Sequence, residues 1–231
     1  SGCLICDPRI VNNPEPIKTI TYRELRELAY MGATVLHEDA IFPVRAAGIP
    51  VNIKNTNQPE DRGTMIVSES AEHCDHIITG IAGKKGMSVI NIEKDKMNSE
   101  IGFGKNVLRA LEKSNVSFEH MPSGVDTMSV VIATEALAGK ETAIIDEIKS
   151  RVHPDQIYIE SNLALIAVVG RGMKSARGTA AILFSALADA RVNIKMIDQG
   201  SSELNIIVGV EEEDFEVAIK AIYKRFIGIN Q

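Results

Sequence analysis

One stretch of the chain has residue types suited to binding a small zwitterion. Residues 96–104 read Lys-Met-Asn-Ser-Glu-Ile-Gly-Phe-Gly and lead into a segment with helical periodicity. Backbone amides at a helix N-terminus bind carboxylates, and Gly102 and Gly104 let a ligand approach the backbone closely. Glu119, on the strand predicted after that helix, carries the charge that an ammonium group needs. Together these groups match the two charged ends of an amino acid.

The same residues also have a purely structural interpretation. Glycines before a helix can serve loop geometry alone, and Glu119 can be a solvated strand residue. Met97 and Phe118 could line the aliphatic part of a ligand, but Phe118 alternates with Val116, and this alternation favours a place in the core. Both interpretations stay open on the residues alone.

A second set of residues could hold a metal ion or a redox centre. Cys3 and Cys6 form a Cys-x-x-Cys motif, and His73, Cys74 and His76 could complete a zinc site. The odd count of three cysteines is not a disulfide framework, and Cys3 and Cys6 flank two apolar residues. The simpler interpretation is small, half-buried strand residues in a reduced, cytoplasmic protein. We therefore expect no metal site.

Composition argues against two classes of partner. The 231 residues carry a formal net charge of −6, which disfavours binding to nucleic acid or to an anionic membrane surface. No apolar run is long enough to span a bilayer, and no signal peptide is visible. Hydrophobic residues make up 45% and aromatic residues only 4%, so the cores must be aliphatic. The chain begins with Ser1 instead of Met, as a processed product or a fragment does.

An internal repeat determines which elements carry the candidate residues. An ungapped offset of 76 aligns residues 110–118 with 186–194. The same offset aligns three further pairs: Met97 with Met173, Gly102 with Gly178, and Gly124 with Gly200. Each copy shows the order β-α-β-β-α, with first strands at 87–93 and 163–170, first helices starting near Gly102 and Gly178, and second helices at 140–150 and 211–226.

One more strand per copy would complete the ferredoxin-like order βαββαβ, a four-stranded sheet with two helices on one face. The first copy finds that strand in residues 156–160. After residue 226 the second copy has too few residues left, whereas residues 76–82 form an unassigned strand upstream. We predict that this strand, over 77–82, completes the second sheet, so that the first copy is inserted in the second.

The first 70 residues have a different pattern. Thr21 and Glu24 form a capping box at the start of a helix that Gly32 can end. A second helix is predicted at 38–47, and strands at 50–53 and 64–67. Two helices and two strands are too few for a stable domain, so this segment is expected to be the end of a larger α/β sheet.

The motifs now support a family resemblance. Asp7-Pro8-Arg9, residues 30–37, Ile49-Pro50-Val51 and Gly63-Thr64 resemble the end of the catalytic domain of aspartate kinases, and the repeat resembles their paired ACT modules. The implied fold class is α/β (α+β), with two ferredoxin-like ACT modules after a partial amino-acid-kinase segment. The expected divisions are a kinase segment, a linker with the completing strand, and first and second ACT modules: 1–70, 71–85, 86–160 and 161–231.

This resemblance implies the first step toward lysine, threonine and methionine, the transfer of the ATP γ-phosphoryl group to aspartate. The complete enzyme would use ATP and Mg²⁺. The chain lacks the family's Lys-Phe-Gly-Gly motif, so alone it is expected to be inactive and to hold no cofactor. Asp7 and Arg9 would be a remnant of the nucleotide site, or simply a surface turn. Thr34 stands where many members have Lys, which leaves that nucleotide contact in question.

The resemblance is to the lysine-sensitive, single-function enzymes, with lysine, possibly with threonine, as effector. The implied effector contacts lie in the loop and the following strand: Met97, Glu100, Gly102, Phe103, Gly104, Phe118 and Glu119. Lys195 stands at the position equivalent to Glu119, so the second module is expected to serve assembly and signalling. ACT modules of this family pair between chains, which implies a homodimer. A freestanding ACT-type sensor is the alternative, although it would have no use for residues 1–70.

Overall fold

The computed structural model describes residues 2–33, 38–69 and 76–228, and the chain divides into two compact units. The first unit consists of Ser1–Lys84 and Leu165–Gln231, and the second of Lys85–Ala164. In sequence, therefore, the second unit is an insertion in the first. Among the described residues no helix is long and apolar enough to cross a membrane.

The N-terminal part of the first unit is a small mixed sheet with two helices. Its elements are β1 (Thr19–Thr21), α1 (Tyr22–Tyr30), α2 (Glu38–Ala46), β2 (Val51–Ile53) and β3 (Thr64–Val67). Strand β3 lies in the middle, parallel to β1 and antiparallel to β2. The predicted capping box is confirmed, because Thr21 accepts from the Glu24 amide and Glu24 accepts from the Thr21 amide. Strand β1 was not predicted.

The second unit has the helix and strand order of the first sequence copy. It contains the greater part of β4 (Gly80–Glu93), then α3 (Phe103–Lys113), β5 (Thr127–Ala133), α4 (Thr134–Leu137) and α5 (Glu141–Val152), and the greater part of β6 (Gln156–Val169). The start of β4 and the end of β6 belong to the first unit. Here the strand order is β5-β4-β6, and β5 pairs with β4 antiparallel from Met87↔Ala133 to Glu93↔Thr127. Residues 116–123 join β5 through two isolated bridges, His120↔Val131 and Ser123↔Met128.

The core of this unit lies between the sheet and helices α3 and α5. Buried positions on α3 recur at helical spacing, as in Phe103, Val107 and Ala110, and α5 contributes Ile144 and Ile148. They pack on alternate residues of β4 and β5, including Ile90, Ile92, Val130 and Ile132. Both helices therefore cover one face of the sheet, which is the ferredoxin-like arrangement.

The C-terminal part of the first unit repeats this plan with α6 (Thr179–Asp189), β7 (Met196–Asp198), β8 (Asn205–Glu211) and α7 (Phe215–Phe226). The strand order here is β4-β6-β8-β7. The amide of Thr79 donates to the carbonyl of Val169 over 2.7 Å, so the start of β4 is bonded to the end of β6. No strand follows α7 within the described residues, which end at 228.

Two strands are longer than the sequence predicts. Residues 76–82 and 87–93 were expected to be separate strands, as were 156–160 and 163–170, but the structure has continuous strands β4 and β6. A residue with positive φ lies between the expected pieces in each, Gly86 at 75° and Asn162 at 62°. A single left-handed residue bends a strand without ending it. Helix α7 starts at Phe215, later than expected, because Glu211 belongs to β8 and residues 212–214 form a 3-10 turn.

Candidate functional site

The loop between β4 and α3, in the second unit, is fixed by backbone hydrogen bonds to the turn before β5. The amide of Lys94 donates to the carbonyl of Asp126 over 2.8 Å, and that of Asn98 to the carbonyl of Val125 over 3.1 Å. The amide of Lys96, a residue with left-handed φ of 61°, donates to the Asp126 carboxylate over 2.8 Å. The loop conformation is therefore set before any ligand binds.

The N-terminus of α3 has no side-chain cap. Gly102 occupies the N-cap position with φ of 85°, and no side chain accepts from the first turn. A Cβ on Gly102 would meet no atom within 4 Å, so the positive φ alone requires glycine there. A Cβ on Gly104 would lie 3.5 Å from the methyl carbon of Met128, which is ordinary contact. Uncapped amides at a helix N-terminus suit a carboxylate ligand.

The apolar candidates divide into buried and exposed residues. Met97 and Phe103 are buried in the core, where they contact protein instead of solvent. Phe118 is 39% exposed, so the interpretation of Phe118 as a core residue is wrong. Two large apolar residues that the sequence reasoning missed, Ile101 and Val125, are exposed beside the same loop. Their apolar character alone would have suggested burial.

Glu100 already has a cation as partner. The ammonium of Lys94 donates to the Glu100 carboxylate and, over 2.5 Å, to the carbonyl of Val152. The same ammonium lies 5.7 Å from the centre of the Phe103 ring. Lys94 was not among the sequence candidates, because nothing in its spacing from Glu100 predicts this contact. Part of the negative charge expected at the loop is thus neutralised within the chain.

Glu119 lies further along the sheet than expected. Its amide donates to the carbonyl of Val131 over 2.8 Å, and Val131 also pairs with His120, so the backbone of Glu119 lies at the level of Val131. Val131 is three residues along β5 from Met128, the residue that contacts the start of α3. At about 3.4 Å per residue this is roughly 10 Å along the strand. Within one chain, the backbone of Glu119 and the α3 N-terminus lie at different levels of the sheet.

The equivalent loop of the second copy, in the first unit, has different partners. Gly178 at the N-cap of α6 has φ of 86°, like Gly102, and again no side-chain cap. Lys195, the counterpart of Glu119, forms an ion pair of 2.8 Å with Glu211. Arg171, at the start of this loop, binds Glu24 of α1. The two copies therefore share backbone geometry and differ in charge.

Asp7 and Arg9 bind each other. The guanidinium of Arg9 forms bonds of 2.6 and 3.1 Å to the Asp7 carboxylate, and its amide also donates to Asp7. This hydrogen bonding holds the pKa of Asp7 below its usual value. The Arg9 side chain is 85% exposed. The pair has the geometry of a self-contained surface turn. Thr34, the other position discussed for a nucleotide contact, lies outside the described residues.

The two described cysteines are buried thiols. Burial raises the pKa of Cys6 to about 11 and raises that of Cys3 above its usual value. No group of three or more His, Cys, Asp or Glu side chains within the described part of the chain could hold a metal ion. His73 and Cys74 lie outside that part.

Comparison with known proteins gives consistent relatives. Residues 166–226 match the family model of the ACT domain, and residues 1–55 match that of the amino acid kinase family. Aspartokinase 3 of Bacillus subtilis is 43% identical over 221 residues, which are 95% of this chain and 48% of that protein. The chain thus spans about half the length of that curated relative, and less of the bifunctional relatives.

Solved structures agree. The crystal structure of Clostridium acetobutylicum aspartate kinase matches 98% of this chain and 52% of its own, with 58% identity and a TM-score of 0.93. Escherichia coli aspartokinase III in complex with lysine and aspartate, in the T-state, matches with a TM-score of 0.79 over 98% of this chain and 50% of its own. Its identity is 23%, so this likeness shows the fold alone.

Proposed function

The chain is a homologue of aspartokinases, as the resemblance predicts, and we propose that it is the amino-acid-sensing regulatory region of an aspartate kinase. The observation that carries the proposal is the pair of ferredoxin-like helix-and-strand repeats that follow a kinase-type segment, the second of which matches the ACT domain. In the complete protein, ATP and Mg²⁺ would serve phosphoryl transfer to the side-chain carboxylate of aspartate.

Lysine is the effector that we assign to the first module. Its α-carboxylate would bind the uncapped N-terminus of α3 at Gly102, where the helix dipole favours negative charge. Glu119 would pair with an ammonium group.

A homodimer is part of the proposal. The roughly 10 Å between the level of Glu119 and the level of the α3 N-terminus is long for one small ligand to bridge within a single chain. Residues 116–123 form the outer edge of the second unit's sheet, beyond β5, and sheet edges are natural pairing surfaces. A ligand site at a seam between two such edges would use groups from both chains.

The chain by itself is proposed to lack kinase activity. Phosphoryl transfer depends on positioned phosphate-binding groups, and the Lys-Phe-Gly-Gly motif is absent from the sequence. Asp7 and Arg9, which satisfy each other here, would be the remaining nucleotide-side groups. ATP- and aspartate-dependent phosphate transfer by the purified chain would refute this statement.

Calorimetric titration with lysine, threonine and methionine tests the effector assignment. We expect lysine to bind and Glu119→Ala to abolish that binding. Glu112→Ala, which removes an exposed carboxylate from α3 of the same module, is the matched control and should bind lysine like the unaltered chain. Threonine binding without lysine binding would reassign the effector, and binding of none of the three would contradict the sensing function.

A freestanding sensor remains the second candidate function, but the residues before 70 argue against it. They match the amino acid kinase family over 1–55 and form their own three-stranded sheet.

A further inference from the structure

The carboxylate of Glu24 joins three segments of the first unit. Glu24 is completely buried, and both of its oxygens accept several hydrogen bonds. The amide and hydroxyl of Thr21 donate over 2.9 and 2.7 Å, and the hydroxyl of Thr79 donates over 2.6 Å. The amide and the guanidinium of Arg171 each donate over 2.9 Å. One side chain thus connects α1, the start of β4 and the loop after β6.

That loop packs backbone to backbone against residues 77–78, which come just before β4. A Cβ on Gly170 would lie 2.7 Å from the Cα of Ile78, and a Cβ on Gly172 would lie 2.6 Å from the carbonyl oxygen of Ile77. Such distances are shorter than real Cβ contacts, so both positions need glycine for backbone to meet backbone. Arg171, between them, is therefore held in a defined direction toward Glu24.

The face of α1 that carries Glu24 makes further contacts with the second ACT module, which forms the C-terminal part of the first unit. Glu27 accepts from the side-chain amide of Asn205 over 2.7 Å, and a Cβ on Gly80 would lie 2.7 Å from a methyl of Leu28. Glu24, Glu27 and Leu28 are spaced i, i+3 and i+4, so they share one side of the helix. Helix α1 and the second module cannot shift relative to each other without breaking these contacts.

Stabilisation of the fold does not by itself account for the Glu24–Arg171 ion pair. Arg171 is 18% exposed on its side chain, and its Nε is buried without a hydrogen-bond partner. A buried pair with an unsatisfied donor is costly, and such pairs are weak sources of net stability. The offset of 76 places Asp95 of the first copy at the equivalent position, and the Asp95 amide bonds to Asp155 of its own unit. In the second copy the residue at this position is a cation, and it binds α1.

We propose that the Glu24–Arg171 pair is the coupling element through which the second module acts on the kinase segment. The loop that would bind an effector in the first module is, in the second, attached to helix α1. A change in the second module would move Arg171 and, through Glu24, the first turn of α1. This inference rests on the proposed regulatory function and adds the residues that carry its output.

The test uses the complete kinase with Glu24→Gln, Arg171→Met and the double variant. Lysine affinity is measured by calorimetry, and inhibition by the lysine concentration that halves kinase activity. We expect the dissociation constant to change by less than about twofold, whereas the half-inhibitory concentration rises at least about fivefold, the lower end of usual allosteric couplings. The double variant should be no worse than the stronger single one, because both remove one interaction.

Two further variants guard against a merely structural effect. Asp189→Asn removes the Arg225–Asp189 ion pair between α6 and α7 of the same module and should leave inhibition unchanged. Thr79→Val removes a single hydrogen bond to Glu24 and provides the readout if Glu24→Gln fails to fold. Unchanged inhibition in the folded variants would overturn the inference while leaving the proposed function intact. An unaltered kinase that neither binds nor responds to an amino acid would overturn both.

Discussion

The ammonium of Lys94 binds the carboxylate of Glu100 across the loop that leads into α3. Both side chains are partly exposed, and the same ammonium also holds the carbonyl of Val152 at the end of α5. The charge of Glu100 is therefore balanced beside an uncapped helix N-terminus. The sequence alone does not distinguish a direct ligand contact by Glu100 from a purely electrostatic effect of its charge. The ion pair with Lys94 makes the two roles distinguishable, because removing Lys94 has opposite consequences for them.

Replacing Lys94 by Met should weaken lysine binding by about fivefold, or about 1 kcal/mol. The unpaired Glu100 would then repel the effector carboxylate near Gly102. Adding Glu100→Gln to Lys94→Met should restore the affinity, because the repelling charge is gone. Calorimetric titration of the two variants and the unaltered chain measures this. Tighter binding in Lys94→Met would mean instead that Glu100 pairs directly with the ligand's ammonium.

Glu24 should make stability depend on pH in the acid range. Burial raises its pKa, but hydrogen bonds from Thr79, Thr21 and Arg171 lower it, and the net shift is downward from about 4.5. Because the pKa of Glu24 is lower in the folded state than in the unfolded state, its ionised carboxylate stabilises the fold at pH values above the unfolded pKa. This stabilisation is lost as the pH falls through the folded pKa. Glu24→Gln should therefore cost about 3 kcal/mol at pH 7 and less below pH 4.

Urea unfolding of both proteins at the two pH values measures this difference. Lys220–Glu216, an exposed pair on α7, supplies the control, and Glu216→Gln should change stability by less than about 1 kcal/mol at either pH. An equal loss for Glu24→Gln at both pH values would show that the carboxylate's charge does not contribute.

The sequence predicted the elements better than their pairing. Hydrophobic spacing and the repeat located both modules, and the Thr21–Glu24 capping box was correct because it is local. The register between paired strands could not be predicted in this way. Adding the repeat offset of 76 to the pair His120↔Val131 gives Met196↔Ile207, whereas the structure pairs Met196 with Gly209. A shift of two keeps every side chain on its face, so the hydrophobic pattern does not detect it.

The candidate site was predictable only in its backbone features. Gly102 was selected as a glycine at the entry to a helix that recurs as Gly178 in the repeat, and the structure gives both residues the left-handed φ that favours glycine. Burial of Met97 and exposure of Phe118 depend on how the sheet and helices pack, which periodicity in a short strand does not determine. The bond between Glu24 and Arg171 joins residues 147 positions apart, and no local pattern announces it.

Gly172→Ala should destabilise the first unit by about 1–3 kcal/mol, because the new methyl would press on the backbone carbonyl of Ile77. Gly200→Ala is the matched control, since its Cβ would approach nothing closer than 4.0 Å and its φ is not in the left-handed region. Thermal unfolding followed by circular dichroism compares the two. Equal melting temperatures for both variants would contradict the close approach of the loop to the backbone of Ile77.

Cys3 and Cys6 should be unreactive in the folded chain. With the pKa of Cys6 raised to about 11 by burial, about one thiol in a thousand is ionised at pH 8, against roughly a quarter at an ordinary pKa near 8.5. In a Cys74→Ser background, a coloured disulfide reagent should label neither thiol within minutes at pH 8 and both after denaturation in guanidinium. Added zinc should leave the melting temperature unchanged. Rapid labelling of the folded chain, or stabilisation by zinc, would restore the metal or redox interpretation of the Cys-x-x-Cys motif.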